Sequence, residues 1–395
     1  MSIEIGIGFS QETQTSTAAR EAAFQALTQS RQDHIDCAIV FSTVHYNPLE
    51  TLHTVQRTLN PSRIIGGSTA GILLSESIET QGIAVLALAS KDVQFGIGHT
   101  RDIRGQDLHI AGNSLARNTV SDFSSSHRSI FLLLSDGLLR DGSLLVKGAQ
   151  EILGNVFPII GAGTSDNFRF QETYQYFQDQ SMNDSAVGLL MGGHISVGIG
   201  SKHGWKPLGK PRFADRTEGS VIKQIDGKRA SSLYEEFFGT DLSDLRSGSF
   251  AQKAYLHPLG IYIEGESEYL LRNALEVRPD GSIICQGNVP QGSEVHIMIG
   301  NKDFCKRAAL EAAQEVKDAL LGKTPKLIII FESFSRNKIL RRSAIQEIQM
   351  VKEILGTDTP LIGMYTYGEI APVKSLERFG SAHLLNETIT IAGIV

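Results

Sequence analysis

Apolar residues along the chain fall into short continuous runs, and the runs recur in a fixed order. Between residues 36 and 98 a run at 37–41 predicts a strand and helical spacing over 49–59 predicts a helix. Next comes the stretch Ile64-Ile65-Gly66-Gly67-Ser68-Thr69-Ala70-Gly71, then two further runs at 83–89 and 93–97 that read as a hairpin turned at Lys91-Asp92. The order returns with a strand at 130–134, a helix at 143–153, Ile159-Ile160-Gly161-Ala162-Gly163-Thr164-Ser165-Asp166, and a hairpin of 186–191 with 195–199 turned at Gly192-Gly193. A third version has a strand at 327–331, a helix at 341–355 and Leu361-Ile362-Gly363-Met364-Tyr365-Thr366-Tyr367-Gly368-Glu369.

All three stretches carry Ile-Gly-x-x-Thr at a strand end, and each copy is preceded by an amphipathic helix, at 18–27, 108–120 and 302–321. Internal duplication accounts for that. Hairpins require antiparallel pairs while strand-helix-strand segments favour parallel ones. The fold class predicted is therefore α/β, with mixed, partly antiparallel sheets covered by helices and built from repeated helix-strand-helix-strand-hairpin units. Residues 202–217 are dense in Gly, Pro and basic side chains and lack periodicity, which marks a linker. After it, a strand at 221–225, the turn Asp226-Gly227, a helix at 230–238 and short strands at 261–264, 282–286 and 295–299 precede the third unit. Two domains are expected, 1–215 with two repeats (about 1–100 and 101–215) and 216–395.

Composition narrows the function more than the fold. The 395 residues are 41% hydrophobic and 20% charged, enough to bury a large core. The net charge of −6 is interspersed, with no basic block to neutralise phosphates, so nucleic acid is not an expected partner. No apolar run approaches the roughly 20 residues of a membrane helix, and residues 1–10 lack a signal-like pattern; the expected location is the cytoplasm, away from membranes. Three cysteines, Cys37, Cys285 and Cys305, form no C-x-x-C pair and are expected to be buried thiols.

Several motifs resemble chemistry without completing it. Gly204-Trp205-Lys206-Pro207-Leu208-Gly209-Lys210 resembles a phosphate loop, but Pro211 stands where a hydroxyl should ligate magnesium. Gly6-x-Gly8 and Gly161-x-Gly163 lack the third glycine of a dinucleotide fingerprint, Gln11 and Asp166 standing there instead, and read as tight strand-end turns. Ser68 has the spacing G-x-S-x-x-G, one residue off a nucleophile elbow. His45 with His53, and His194 with His203, lack the i, i+4 spacing of a helical metal pair, and no metal is expected. What remains is the trio of glycine turns. Gly66, Ser68, Thr69, Gly71, Gly161, Thr164, Asp166, Tyr365, Tyr367, Gly368 and Glu369 offer hydroxyls, carboxylates and rings from equivalent loops that could surround a small polar ligand, or the glycines could serve packing alone. Tyr365 and Tyr367 would flank the ligand and Glu369 would pair with an amine.

These stretches resemble the FIST family, the F-box and intracellular signal transduction domains, in its N-terminal and C-terminal parts across nearly the whole chain. Residues 64–71 and 160–166 resemble the family's glycine motifs, and 204–209 with 221–230 resemble the junction of its two parts. Residues 365–370 and Asn386-Glu387-Thr388-Ile389-Thr390 resemble its ending. Family members often carry Cys where Gly67 stands and Glu where Ile72 stands. The resemblance implies a stand-alone, non-enzymatic sensory protein that binds a small molecule, with amino acids a frequent suggestion. It implies signalling through a separate partner such as a histidine kinase, since no output segment is recognisable here. Some stand-alone relatives resemble haem-binding nitric oxide sensors, and the cofactor of this chain is left unknown. A hydrolase or amidase using Ser68 or Thr164 as nucleophile, with Asp166 or Glu369 as acid or base, is the alternative from a different class.

Overall fold

The computed structural model describes residues 3–246, 250–262, 269–373 and 380–395. The first unit consists of β1 (Ile3–Ser10), α1 (Thr15–Ser30), β2 (Cys37–Thr43), α2 (Pro48–Leu59), β3 (Ile64–Thr69), a hairpin of β4 (Ile72–Leu74) and β5 (Ile78–Glu79), and β6 (Ile83–Ser90). The second repeats that order: β7 (Val93–Arg101), α3 (Leu108–Ser121), β8 (Arg128–Ser135), α4 (Gly142–Leu153), β9 (Ile159–Gly163), hairpin β10 (Gln175–Phe177) and β11 (Gln180–Met182), and β12 (Ser185–Gly193). The third opens with β13 (Val197–Lys202) and is interrupted by an inserted segment. That segment contains β14 (Lys206–Phe213), β15 (Arg216–Glu218), β16 (Val221–Ile225), β17 (Lys228–Arg229), α5 (Ser232–Phe238), α6 (Leu242–Leu245), α7 (Phe250–Ala254), β18 (Leu259–Ile261), β19 (Leu270–Arg272), β20 (Ala274–Val277), β21 (Ile283–Cys285) and β22 (Glu294–Ile299). The unit then resumes with α8 (Lys302–Ala319), β23 (Leu327–Ser333), α9 (Phe334–Leu340), α10 (Ala344–Leu355), β24 (Leu361–Thr366), hairpin β25 (Glu369–Pro372) and β26 (Ala382–Leu385), and β27 (Ile389–Ile394).

Local chemistry starts the helices where polar side chains can take their free amides. Asn47 caps α2 by accepting from the Glu50 amide, with Pro48 at the first helical position; Asp107 caps α3 and Asn301 caps α8 in the same way. Within each unit the two central strands are parallel, β2 with β3, β8 with β9, and β23 with β24. Gly66, Gly161 and Gly363 occupy the same register, opposite Val40, Leu133 and Ile330, and a side chain at any of them would strike the neighbouring strand's carbonyl. The repeated Ile-Gly therefore marks one structural position three times, as the duplication predicts.

The sheets are completed by exchange. Their strand orders are β1-β6-β2-β3-β10-β11, β26-β25-β9-β8-β12-β7 and β13-β27-β23-β24-β4-β5. Each unit thus lends its hairpin to another: the first to the third, the second to the first, and the third to the second. One face of all three sheets shares a core that includes Phe41, Ile65, Leu132, Leu134, Phe331 and Met364, while helices cover the outer faces. The central strands are buried on both sides, and for that reason they read as unbroken apolar runs.

Four expectations are corrected. Runs 83–89 and 93–97 form no hairpin, because β6 pairs on both edges with β1 and β2 while β7 pairs with β12 in another sheet. The runs 186–191 and 195–199 separate likewise, β13 pairing with β27. Residues 202–217 include a paired strand, β14, whose prolines sit on an exposed sheet edge opposite β22, so the phosphate-loop-like segment is extended backbone there. Gly6 and Gly8 let β1 lie against α1, where added side chains would strike the Ala26 and Ala22 carbonyls; Gly198 and Gly200 do the same against α8. Gly6 and Gly8 lie inside β1, paired with Ala87 and Val85, so the strand-end turn read at Gly6-x-Gly8 is also corrected: the spacing reflects helix packing.

Candidate ligand-binding site

The parallel strands of each unit point their carboxyl ends at one place, the location where α/β sheets ordinarily take ligands. There the three glycine loops interlock. Ser68 donates to the Ser165 carbonyl (3.1 Å), Thr69 to the Tyr365 carbonyl (2.8 Å), and Ser165 Oγ to the same Tyr365 carbonyl (2.5 Å) while accepting from the Ala70 amide (2.9 Å). Backbone pairs close the ring: the Gly163 amide donates to Gly368, the Tyr367 amide to Gly163, and the Tyr365 amide to Gly71. Thr164 and Thr366 donate to Ser135 and Glu332, carbonyls at equivalent positions of their units, each at 3.0 Å. Ser165, which sequence reasoning passed over, is the residue that joins all three.

Asp166 leaves this knot and organises a strap. Its carboxylate accepts from Tyr367 Oη (2.7 Å) and from the amides of Phe170 (3.0 Å), Gln171 (2.7 Å) and Glu172 (3.1 Å). Asn167, Phe168 and Phe170 take left-handed φ values of 59°, 59° and 50°. For a phenylalanine such backbone costs about 1–2 kcal/mol, which the carboxylate and the ring contacts must offset. Phe170 stacks on Tyr367 with centroids 4.9 Å apart, Phe168 meets the Phe334 edge at 4.7 Å, and Tyr255 from the inserted segment approaches both Phe168 and Phe170. Lys338 Nζ stands 4.6 Å from the Phe334 ring centre. Beside the strap is a cavity of about 190 Å³ into which Ser68 and Asp166 both open, with Tyr46, Arg169 and Tyr174 in its wall.

Tyr367 therefore belongs to the strap, while the side chains of Tyr365 and Glu369 are enclosed away from it. Tyr365 is fully buried, its Oη accepting from Asn337 (3.0 Å), and burial lifts its pKa well above the usual phenol range. Tyr367 is also raised, by burial and then by Asp166. Glu369 is buried and accepts from Thr366 Oγ1 (2.5 Å), Thr388 Oγ1 (2.7 Å) and the Thr388 amide (3.0 Å). Burial pushes its carboxyl up to about 7, against those hydrogen bonds. Ser68 and Thr164 have hydroxyl partners that are amide or carbonyl groups, with Gln175 reaching Thr164 at 2.7 Å; neither touches a carboxylate or imidazole among the described residues.

Behind Tyr365 lies a charged cluster that the sequence reading did not anticipate. Arg336, with no exposed surface, donates to Glu332 (3.2 Å), to Glu347, and to the carbonyls of His203 (2.6 Å) and Cys305 (2.9 Å). Ser335 donates to Glu387, and burial raises the carboxyls of Glu332 and Glu387 well above their usual range. The one visible signal was a carboxylate, Glu332, ending the apolar strand Leu327–Ser333. His203 is buried and its pKa is lowered to about 3, chiefly by desolvation; among the described residues no His, Cys, Asp and Glu group has metal-binding geometry. All three cysteines are free and buried, as expected.

Comparison with known proteins decides the family. The FIST N domain profile matches residues 36–228 and the FIST C domain profile matches 230–372. The chain belongs to the FIST family. FIST domains are associated with sensing in signal transduction. Among curated relatives, the uncharacterized protein MT0656 of Mycobacterium tuberculosis is 23% identical over 384 residues, covering 94% of this chain and 95% of that protein. The uncharacterized protein MJ1623 of Methanocaldococcus jannaschii is 27% identical over 267 residues, covering 59% of this chain and 50% of that one. Among solved structures, cyanuric acid hydrolase from A. caulinodans aligns with a TM-score of 0.42 at 8% identity over 100% of this chain and 99% of that one, a similarity too slight to bear on fold or activity. A side chain at Gly67 would meet the Thr164 methyl and the Tyr174 carbonyl. No helix among the described residues is long and apolar enough to cross a membrane.

Proposed function

We propose that this FIST protein is a small-molecule-binding sensor whose switching element is the strap at 167–172, read by a separate signalling protein such as a histidine kinase. The observation that carries this reading is the strap itself: strained backbone and two half-buried phenylalanines held over the interlocked loops by the Asp166 carboxylate and by Tyr367 Oη, which accepts from the Phe168 amide. A ligand that offers N–H donors to Asp166 and an apolar or aromatic body to Tyr367 and Tyr255 competes with the strap for both of its attachments. An amine-bearing molecule such as an amino acid fits that description. Ligand binding then lifts the strap and changes the surface presented to the partner, a shift between two states biased by differential affinity. Haem does not fit this place: the cavity of about 190 Å³ has no histidine among its described lining residues and falls below the roughly 300–1,000 Å³ of cofactor-sized clefts.

A thermal-shift screen over amino acids, other amines, nucleotides and haem tests the proposal. A ligand at a hundred times its Kd stabilises by about 2.7 kcal/mol. The expected hit is amine-bearing and loses about tenfold affinity or more in Tyr367→Ala. A hit whose affinity is indifferent to both Tyr367→Ala and Asp166→Asn would remove the ligand from this site.

A further inference from the structure

A cleft of about 670 Å³, away from the interlocked loops, lies between α4, β26 and the inserted segment. Among its described lining residues are Lys147, Arg272 and His383 but no aspartate or glutamate, in a chain whose net charge is −6. Arg272 is 3% exposed yet lines this cleft. Its guanidinium is fixed by donating to three backbone carbonyls, Asn288 (3.0 Å), Leu271 (2.9 Å) and Leu384 (3.1 Å), and it has no carboxylate partner among the described residues. The nearest attracting carboxylate, Asp141, forms no ion pair with it among the described residues, and carbonyls compensate a buried cation only in part. Nη2 makes no hydrogen bond among the described residues and remains for an acceptor from the cleft.

A second group is left open beside it. The Ser143 hydroxyl, in the first turn of α4, is enclosed and has no partner among the described residues. A methyl group placed on Gly287 would lie 3.0 Å from Arg272 Cζ and 3.2 Å from Ser143 Oγ, so the two groups stand around one small space that a glycine keeps clear. Lys147 follows Ser143 by one helical turn on the same face and forms no ion pair among the described residues. The opposite wall is apolar, with Ile261, Leu270 and Leu384 inside and Val156 and Tyr262 exposed at the rim.

We propose that this cleft is a binding site for small organic acids, whose carboxylate is taken by Arg272 and Lys147 with the Ser143 hydroxyl, and whose hydrocarbon body lies against Leu270 and Leu384. A planar guanidinium offers paired N–H donors that match a carboxylate, and a lysine at the mouth adds charge without fixing geometry. The assignment goes beyond the sensor reading and does not depend on it.

Calorimetric titration of the whole protein with butanoate, 3-methylbutanoate and hexanoate, each paired with its neutral amide, tests the site, with inorganic phosphate as an anion lacking a hydrocarbon body. At least one acid is expected to bind at least tenfold more tightly than its amide and than phosphate. Arg272→Gln is expected to lose that binding by tenfold or more, while Asp166→Asn leaves it unchanged. Should Arg272→Gln fail to fold, Lys147→Glu, on the exposed helix face, is expected to lose it by tenfold as well. Acids that bind no better than amides, phosphate that binds as tightly as any acid, or unaltered acid binding in the arginine variant would each overturn the assignment. None of those results alters the strap proposal, which stands or falls on Asp166 and Tyr367.

Discussion

Two arginines are buried almost equally in this molecule and sit in opposite electrostatic company. Arg336 is enclosed by Glu332 and Glu347 with two carbonyls completing its donors, whereas Arg272 donates to carbonyls alone, feels Asp141 without an ion pair, and faces a cleft with no aspartate or glutamate among its described lining residues. The difference separates structure from recognition. A charge whose partners are supplied by its own fold has its interactions complete, while a charge held in place and left short of a counter-ion is prepared for one that arrives from outside. The interlocked loops belong with Arg336, since their hydroxyls are taken up by neighbouring backbone. The strap above them is held by side chains, chiefly the Asp166 carboxylate and Tyr367, and it is the element proposed to move.

The largest expected effect is at the paired arginine. Arg336→Met leaves Glu332 and Glu347 buried without their cation and should cost about 3–5 kcal/mol in urea unfolding. A loss under about 1 kcal/mol would show that those carboxylates are held neutral without it.

Next comes the titration of Glu369. Its folded pKa of about 7 lies above the ordinary value of 4.5, so the folded state holds a proton that the unfolded state releases. The stability it contributes is full below pH ~4.5 and lost as pH rises through ~7, on the order of 3 kcal/mol in all. Glu369→Gln should flatten that part of the pH profile of unfolding, and an unchanged slope would assign it to other groups. The smallest effect is expected at the unpaired arginine. Arg272→Met removes a desolvated charge together with its three carbonyl contacts, and a net loss of about 1–2 kcal/mol is expected, under half that at Arg336. A loss as large as at Arg336 would erase the distinction between the two.

Much of this was legible in the sequence, and the remainder was hidden for physical reasons. Ile-Gly-x-x-Thr located the three equivalent strand ends because close backbone approach demands glycine there, and the helices before each copy announced themselves by spacing. The exchange of hairpins was illegible: β3 takes β10 as its neighbour from more than a hundred residues away, and strand pairing is set by tertiary context. Strand β14 read as a linker because Pro207 and Pro211 lie on an exposed edge. The loops named as a site do converge: Ser68 and Asp166 line one cavity, while Glu369 faces threonines of its own unit. Arg272 went unnoticed, since a single arginine in the run Leu270–Arg272 says nothing about which groups its guanidinium will meet.

The central claim, that Asp166 holds a strap able to lift while the loops beneath it stay closed, is tested most directly by hydrogen exchange on wild type and Asp166→Asn. The variant should exchange the Phe170, Gln171 and Glu172 amides about tenfold faster or more, corresponding to about 1.4 kcal/mol of lost local stability, while Ala70, Tyr365 and Tyr367 keep their protection. Equal exchange across 167–172 in both proteins, or loss of protection in the strap and the interlocked loops together, would contradict it.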